Sequence, residues 1–171
     1  MNIFREACIM TVTDELLANN ERYAQSFPSR LPMPASRHVA VVACMDRRLN
    51  VYAALGLTEG EVYVIRNAGG VVTDDVIRSL AISQRLLGTH EIILVHHTEC
   101  GMQTFTDDDF KAGIEADTGI KPSWAAEAFA DLDSDVRQSI ARIKASPFLP
   151  HTDQVRGFVF DVTTGRLREV S

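Results

Sequence analysis

The chain has 171 residues, 46% of them hydrophobic, and 17 Lys and Arg against 23 Asp and Glu give a formal net charge of −6. This length and composition exclude wholesale disorder and allow one domain with a sizeable core. The charge excludes a general phosphate-backbone binder, because no surplus of cations is available to displace counterions, and no nucleic-acid partner is expected. Three cysteines, Cys8, Cys44 and Cys100, are too few and too odd in number for a secreted disulfide framework. No apolar run approaches the ~20 residues that span a bilayer, so no membrane partner and a cytoplasmic location are expected.

Residues 1–9 include Arg5 and Glu6 and form no clean apolar stretch, so they do not read as a signal peptide. Thr13-Asp14-Glu15 predicts a helix start, with acids where the helix dipole favours them, and the helix extends to about Gln25. Its apolar positions are few, which suits a helix that packs on a partner subunit rather than in its own core. Pro28, Pro32 and Pro34 predict an irregular connector. The organisation is therefore a single domain over 1–171, with 1–34 an N-terminal arm and linker and 35–171 an α/β core.

A strand is expected over Val39 to Ala43, without alternation, as in strands buried on both faces. A short helix over Leu49 to Leu55 is stopped by Gly56, and a second strand covers Val62 to Ile65. Arg66 to Gly70 predicts a tight loop whose glycines permit close backbone approach. Thr73 caps a helix with Asp74 and Asp75 in its first turn, and Gly88 ends it. A third strand covers Glu91 to His96. Thr106 caps a helix ending near Gly119, and the run Asp107-Asp108-Asp109 reads as a solvated first turn rather than a metal loop. Pro122 to Ala130 reads as loop, Asp133 to Ala145 as helix, and Gly157 to Val170 as a hairpin turning at Thr163-Thr164-Gly165. This alternation predicts an α/β fold: a mainly parallel central sheet, helices on both faces and a C-terminal β-hairpin.

In open α/β sheets, chemistry collects where strands release their last residues. The first strand runs into Cys44-Met45-Asp46-Arg47-Arg48, and the third into His97-Thr98-Glu99-Cys100. Cys44, His97 and Cys100 offer two soft thiolates and an imidazole, and three protein ligands with a fourth position open is the layout of a catalytic zinc site. The competing reading is that both cysteines are small buried hydrophobes, as free cysteines often are. His96 and His97 are consecutive in a strand and point to opposite faces, so one alone is a ligand and the other a hydrogen-bonded structural histidine. Asp46 either takes the fourth position itself or accepts a hydrogen bond from a metal-bound hydroxide, and an arginine pairing with it decides which. His38, His90 and His151 read as surface histidines, with proton shuttling as the alternative.

Cys44-Met45-Asp46-Arg47-Arg48 resembles the Cys-x-Asp-x-Arg signature of β-class carbonic anhydrases, and His97-x-x-Cys100-Gly101 resembles their second signature. Arg66-Asn67-Ala68-Gly69 is also similar to the family, and the likeness covers residues 13 to 165. His96-His97-Thr98 and Thr106-Asp107-Asp108-Asp109-Phe110 look like a small bacterial, actinobacterial-type branch. The resemblance implies Zn²⁺ on Cys44, His97 and Cys100, with Asp46 and Arg48 as the adjacent catalytic dyad and Gly101 beside the substrate. It implies reversible hydration of CO₂ to bicarbonate and a proton by a zinc-bound hydroxide, in a homodimer or dimer of dimers. Two thiolates neutralise the ion and make it a weaker Lewis acid than one on three histidines, so the dyad has to help. The chain departs from the family pattern in two places. Arg47 stands where the signature usually has a small residue, and no Gln lies between Gln25 and Cys44, where plant-type members carry one for substrate. The alternatives are a carbonyl sulfide or carbon disulfide hydrolase on the same zinc site, and a non-catalytic zinc-binding protein in which Arg47 spoils the dyad. A nucleotide-binding reading is the weakest, because no G-x-G-x-x-G follows the first strand.

Overall fold

The computed structural model describes residues 10–27, 31 and 33–171. The readings of residues 1–9, Cys8 among them, and of Pro28 and Pro32 lie outside the described residues. Contacts divide the chain into two units, residues 1–31 and 32–171. Among the described residues, no helix is long and apolar enough to cross a membrane.

In the first unit, helix α1 spans Val12–Ala24. Thr11 rather than Thr13 is its cap. The Thr11 hydroxyl accepts from the Asp14 N–H at 3.2 Å, and the Thr11 N–H donates to the Asp14 carboxylate at 2.8 Å. This reciprocal pair satisfies two donors that a helix start otherwise leaves orphaned, so the helix begins earlier than the acids alone suggest. No residue of α1 is buried, and Val12, Leu16 and Leu17 are exposed.

The second unit contains β1 (Val39–Cys44), α2 (Val51–Leu55), β2 (Tyr63–Asn67), α3 (Asp74–Leu86), β3 (Glu91–His97), α4 (Asp107–Thr118), α5 (Leu132–Lys144), β4 (Val155–Phe160) and β5 (Leu167–Val170). One five-stranded sheet runs β2-β1-β3-β4-β5, parallel throughout except for the antiparallel β4–β5 hairpin. This is the expected fold. Alternate residues of β1 feed two cores, as the two-residue strand period requires. Ala40 and Val42 pack with Leu80 of α3, Leu94 of β3 and Ile143 of α5. Val41 and Ala43 pack on the other face with Leu49, Val51 of α2, Val95 and Phe160.

Three of the boundaries that differ from the sequence reading have a clear local reason. Helix α2 starts at Val51 because the Asn50 side chain caps it, accepting from the Ala53 N–H at 3.2 Å. Strand β2 continues through Arg66 and Asn67, which pair with Ala43 and Cys44 of β1. Their polar side chains are used at the strand end: Arg66 donates to the carbonyls of Cys44 and Asp46, and Asn67 to that of Val71. Strand β4 stops at Phe160 because the Asp161 carboxylate accepts from Thr163 and Thr164 N–H and opens the turn there. Gly70 earns its place next to the site: its φ is +75°, and a Cβ there would stand 2.8 Å from the Cys44 nitrogen.

Candidate active site

Because β1 and β3 are adjacent and parallel, they release their last residues side by side. Cys44 ends β1 and His97 ends β3, while Cys100 stands at the start of a single 3₁₀ turn, Gly101–Gln103. The two sulfurs and one imidazole nitrogen all lie within 4.8 Å of one another, and all three residues are buried. His97 Nδ1 is 2.8 Å from the Thr98 carbonyl oxygen, which only accepts, so Nδ1 carries the proton and Nε2 keeps its lone pair. Nε2 is buried and has no hydrogen-bond partner. A buried polar atom left so is costly unless something fills the place.

The thiols also fit an ion. Hydrogen bonding from Cys100 pulls the Cys44 thiol well below its ordinary range, against the opposing effect of burial. The same contact, with burial, pushes the Cys100 thiol up. Two thiols and a neutral imidazole with a fixed tautomer are the donor set of zinc-type sites.

The other histidine of the pair does what the strand period requires. His96 is fully buried on the opposite face, with Nε2 2.7 Å from the Asp135 carboxylate of α5 and its ring beside Phe129. Beside the donor group, Asp46 is held by Arg48 through three donors: the backbone N–H at 2.8 Å and Nε at 3.0 Å to Oδ1, and Nη2 at 2.9 Å to Oδ2. Those bonds from Arg48 hold the Asp46 carboxyl far below the usual carboxylate range, and the pairing raises the guanidinium in turn. Asp46 Oδ2 is 3.8 Å from His97 Nε2. Arg47 is exposed and makes no hydrogen bond or ion pair among the described residues, so it does not compete for Asp46.

Sequence reasoning missed Glu99. Its carboxylate accepts from Arg48 Nη1 at 2.9 Å and its carbonyl from Nη2 at 3.1 Å, so the guanidinium is clamped from both sides. Its backbone φ of +55° is uncommon for a residue with a side chain. The available signal was position alone, an acid between His97 and Cys100. Gly101 lines a cavity of about 340 Å³ together with the three donors, Asp46, Met102 and Phe105. His38, His90 and His151 lie elsewhere. His38 precedes the start of β1 whereas Cys44 ends it, six strand residues away, roughly 17–20 Å. That excludes them as direct proton relays within one chain.

An open α/β sheet whose strand ends gather two thiols, an imidazole and an arginine-pinned carboxylate defines a class of metal-dependent enzyme. A profile described as carbonic anhydrase matches residues 39–142. The chain is 65% identical to beta-carbonic anhydrase 1 of Mycobacterium tuberculosis over 95% of its length and 99% of that relative's. It is 34% identical to a carbon disulfide hydrolase of Acidithiobacillus thiooxidans, over 81% of this chain and 80% of that one. The crystal structure of carbonic anhydrase from Streptococcus mutans superposes with a TM-score of 0.89 at 43% identity, covering 95% of this chain and 99% of that one. The chain belongs to the β-carbonic anhydrase family.

Proposed function

We propose that the protein catalyses the reversible hydration of CO₂ to bicarbonate and a proton, with one Zn²⁺ held by Cys44, His97 and Cys100. The observation that carries this is the buried, partnerless His97 Nε2 facing two thiols beside a carboxylate that is pinned in place. Bound there, zinc supplies a Lewis acid that makes a water nucleophilic near neutral pH. The chain's own residues do the rest. Arg48 keeps Asp46 turned toward itself, so a metal held by the three donors would keep room for a water, and the carboxylate would accept a hydrogen bond that orients it. Asp46 and Arg48 are thus the catalytic dyad. Met102 and Phe105 give the cavity an apolar wall suited to a small linear substrate, and Gly101, with no side chain to intrude, admits it beside the donors.

Hydrolysis of carbonyl sulfide or carbon disulfide is the second reading, supported by the 34% identity to a carbon disulfide hydrolase; the 65% identity to a beta-carbonic anhydrase favours CO₂. Stopped-flow assays of all three substrates on one preparation test this. CO₂ turnover far exceeding the other two supports the proposal, and preferred carbon disulfide turnover overturns it. A non-catalytic zinc-binding role is disfavoured, because Arg47 leaves the dyad intact. We further propose a cytoplasmic homodimer or dimer of dimers, in which residues 1–34 form an arm and 35–171 the zinc-binding core. The exposed apolar side chains of α1 support the arm's role as a subunit contact.

A further inference from the structure

We infer that His38, His90 and His151 form a second metal site, for a borderline divalent cation such as Ni²⁺, Cu²⁺ or Zn²⁺, at the edge of the sheet where the parallel strands begin. The register builds it. Val39 of β1 pairs with Glu91 of β3, and Ile92 of β3 with Val155 of β4. The residue before β1, the residue before β3 and the loop leading into β4 therefore meet at one edge, opposite the Cys44–His97–Cys100 group. The His90 ring centre lies 5.8 Å from that of His38 and 4.5 Å from that of His151. With metal–nitrogen bonds of about 2.0–2.1 Å and a ring centre about 1.1 Å beyond each nitrogen, two imidazoles on one ion stand about 4.5–5.8 Å apart for donor angles of about 90–130°. The two ring spacings that involve His90 fall within that range.

The supporting contacts are those of a ligand set. His38 Nδ1 is 2.8 Å from the Gly88 carbonyl oxygen, so that nitrogen carries the proton and Nε2 is the free donor. A backbone carbonyl holding the far nitrogen is the usual way a metal-binding histidine is fixed. The His38 carbonyl accepts the N–H groups of His90 at 2.8 Å and Glu91 at 3.3 Å, which locks two of the three positions together. The third is held by the buried amide of Gln84, which donates to the His151 carbonyl at 2.7 Å and accepts its N–H at 3.1 Å. His38 itself has φ +56°, a conformation that costs a residue with a side chain some strain and is found at functional positions more than elsewhere. His38 and His90 are exposed and open to an ion in solution.

The ring nitrogens of this trio do not all lie within 4.8 Å of one another, as the donors of the first group do. Closing on an ion takes rotation of the His90 and His151 rings, while His38 keeps its bond to Gly88. The site is therefore one of moderate affinity. Occupied, it ties the starts of β1 and β3 to the loop before β4 and stabilises the folded state by mass action.

The test is isothermal titration of Ni²⁺ into the untagged full chain carrying its purified metal, alongside His90→Ala and His151→Ala. The wild type takes up one Ni²⁺ per chain beyond its purified metal, with a Kd below roughly 100 μM, and its Tm rises with Ni²⁺. Either variant weakens binding by at least the about 10–100-fold that loss of a ligand's supporting partner alone costs, and the Tm response disappears. Absence of Ni²⁺ uptake by the wild type, or wild-type affinity in either variant, overturns the site.

Discussion

Arg48→Ala isolates the device that keeps the proposed fourth position open. The substitution removes the two side-chain bonds to Asp46, from Nε at 3.0 Å and Nη2 at 2.9 Å, and leaves only the backbone N–H at 2.8 Å. One anchor on one oxygen fixes the carboxylate's position but not its rotation. Oδ2 is then free to turn toward the donor group, whose His97 Nε2 is already 3.8 Å away. Loss of such an orienting partner typically costs about 10–100-fold in activity, and that is the expected fall in kcat/KM for CO₂ hydration. Arg48→Lys recovers little, because one ammonium does not span both oxygens and the Glu99 clamp together. Stopped-flow hydration with metal analysis of the same samples is the assay. Metal content stays at the wild-type level. Wild-type kcat/KM in Arg48→Ala at full metal content would refute the reasoning.

Arg47→Ala leaves kcat/KM and metal content unchanged, since Arg47 is exposed and makes no hydrogen bond or ion pair among the described residues; a loss as large as that of Arg48→Ala would mean the dyad arginine is misassigned. Asp107 accepts the N–H groups of Ala126, Glu127 and Ala128, and chiefly the Ala128 bond holds its carboxyl below the usual range. A depressed folded-state pKa gives stability that is complete above the unfolded value near ~4 and is lost as pH falls through the folded value. Asp107→Ala is therefore less stable in urea at pH 7, by on the order of 1–2 kcal/mol, and the gap closes on acidification; a pH-independent gap contradicts this. Light scattering at micromolar concentration gives a dimer or larger, and deleting residues 1–30 reduces both assembly and activity; an active wild-type monomer contradicts the proposed arm.

The parts of this molecule legible in the sequence are those set by local pattern. Unbroken apolar runs marked β1 and β3 as doubly buried strands, and each ended in soft donors, so Cys44, His97 and Cys100 stood out together. Strand alternation separated His97 from His96. What escaped depends on register and on side chains reaching across the fold. Glu99 is an ordinary exposed acid until its left-handed backbone turns its carboxylate and carbonyl onto Arg48. Asp135 finds His96 from a helix 39 positions away. Arg66 and Asn67 look like loop residues because their polarity hides the backbone pairing that keeps them in β2. His38, His90 and His151 read as three separate surface residues, and only the pairing of Val39 with Glu91 brings the first two together.

The central claim is that Cys44, His97 and Cys100 hold a catalytic zinc ion. Metal analysis and CO₂ hydration on the same samples of wild type, Cys44→Ser and Cys100→Ser test it most directly. The account predicts one Zn²⁺ per wild-type chain with hydration activity, and loss of most of both in each variant with the fold retained by circular dichroism. A folded wild type with negligible zinc, or serine variants that keep zinc and activity, would contradict it.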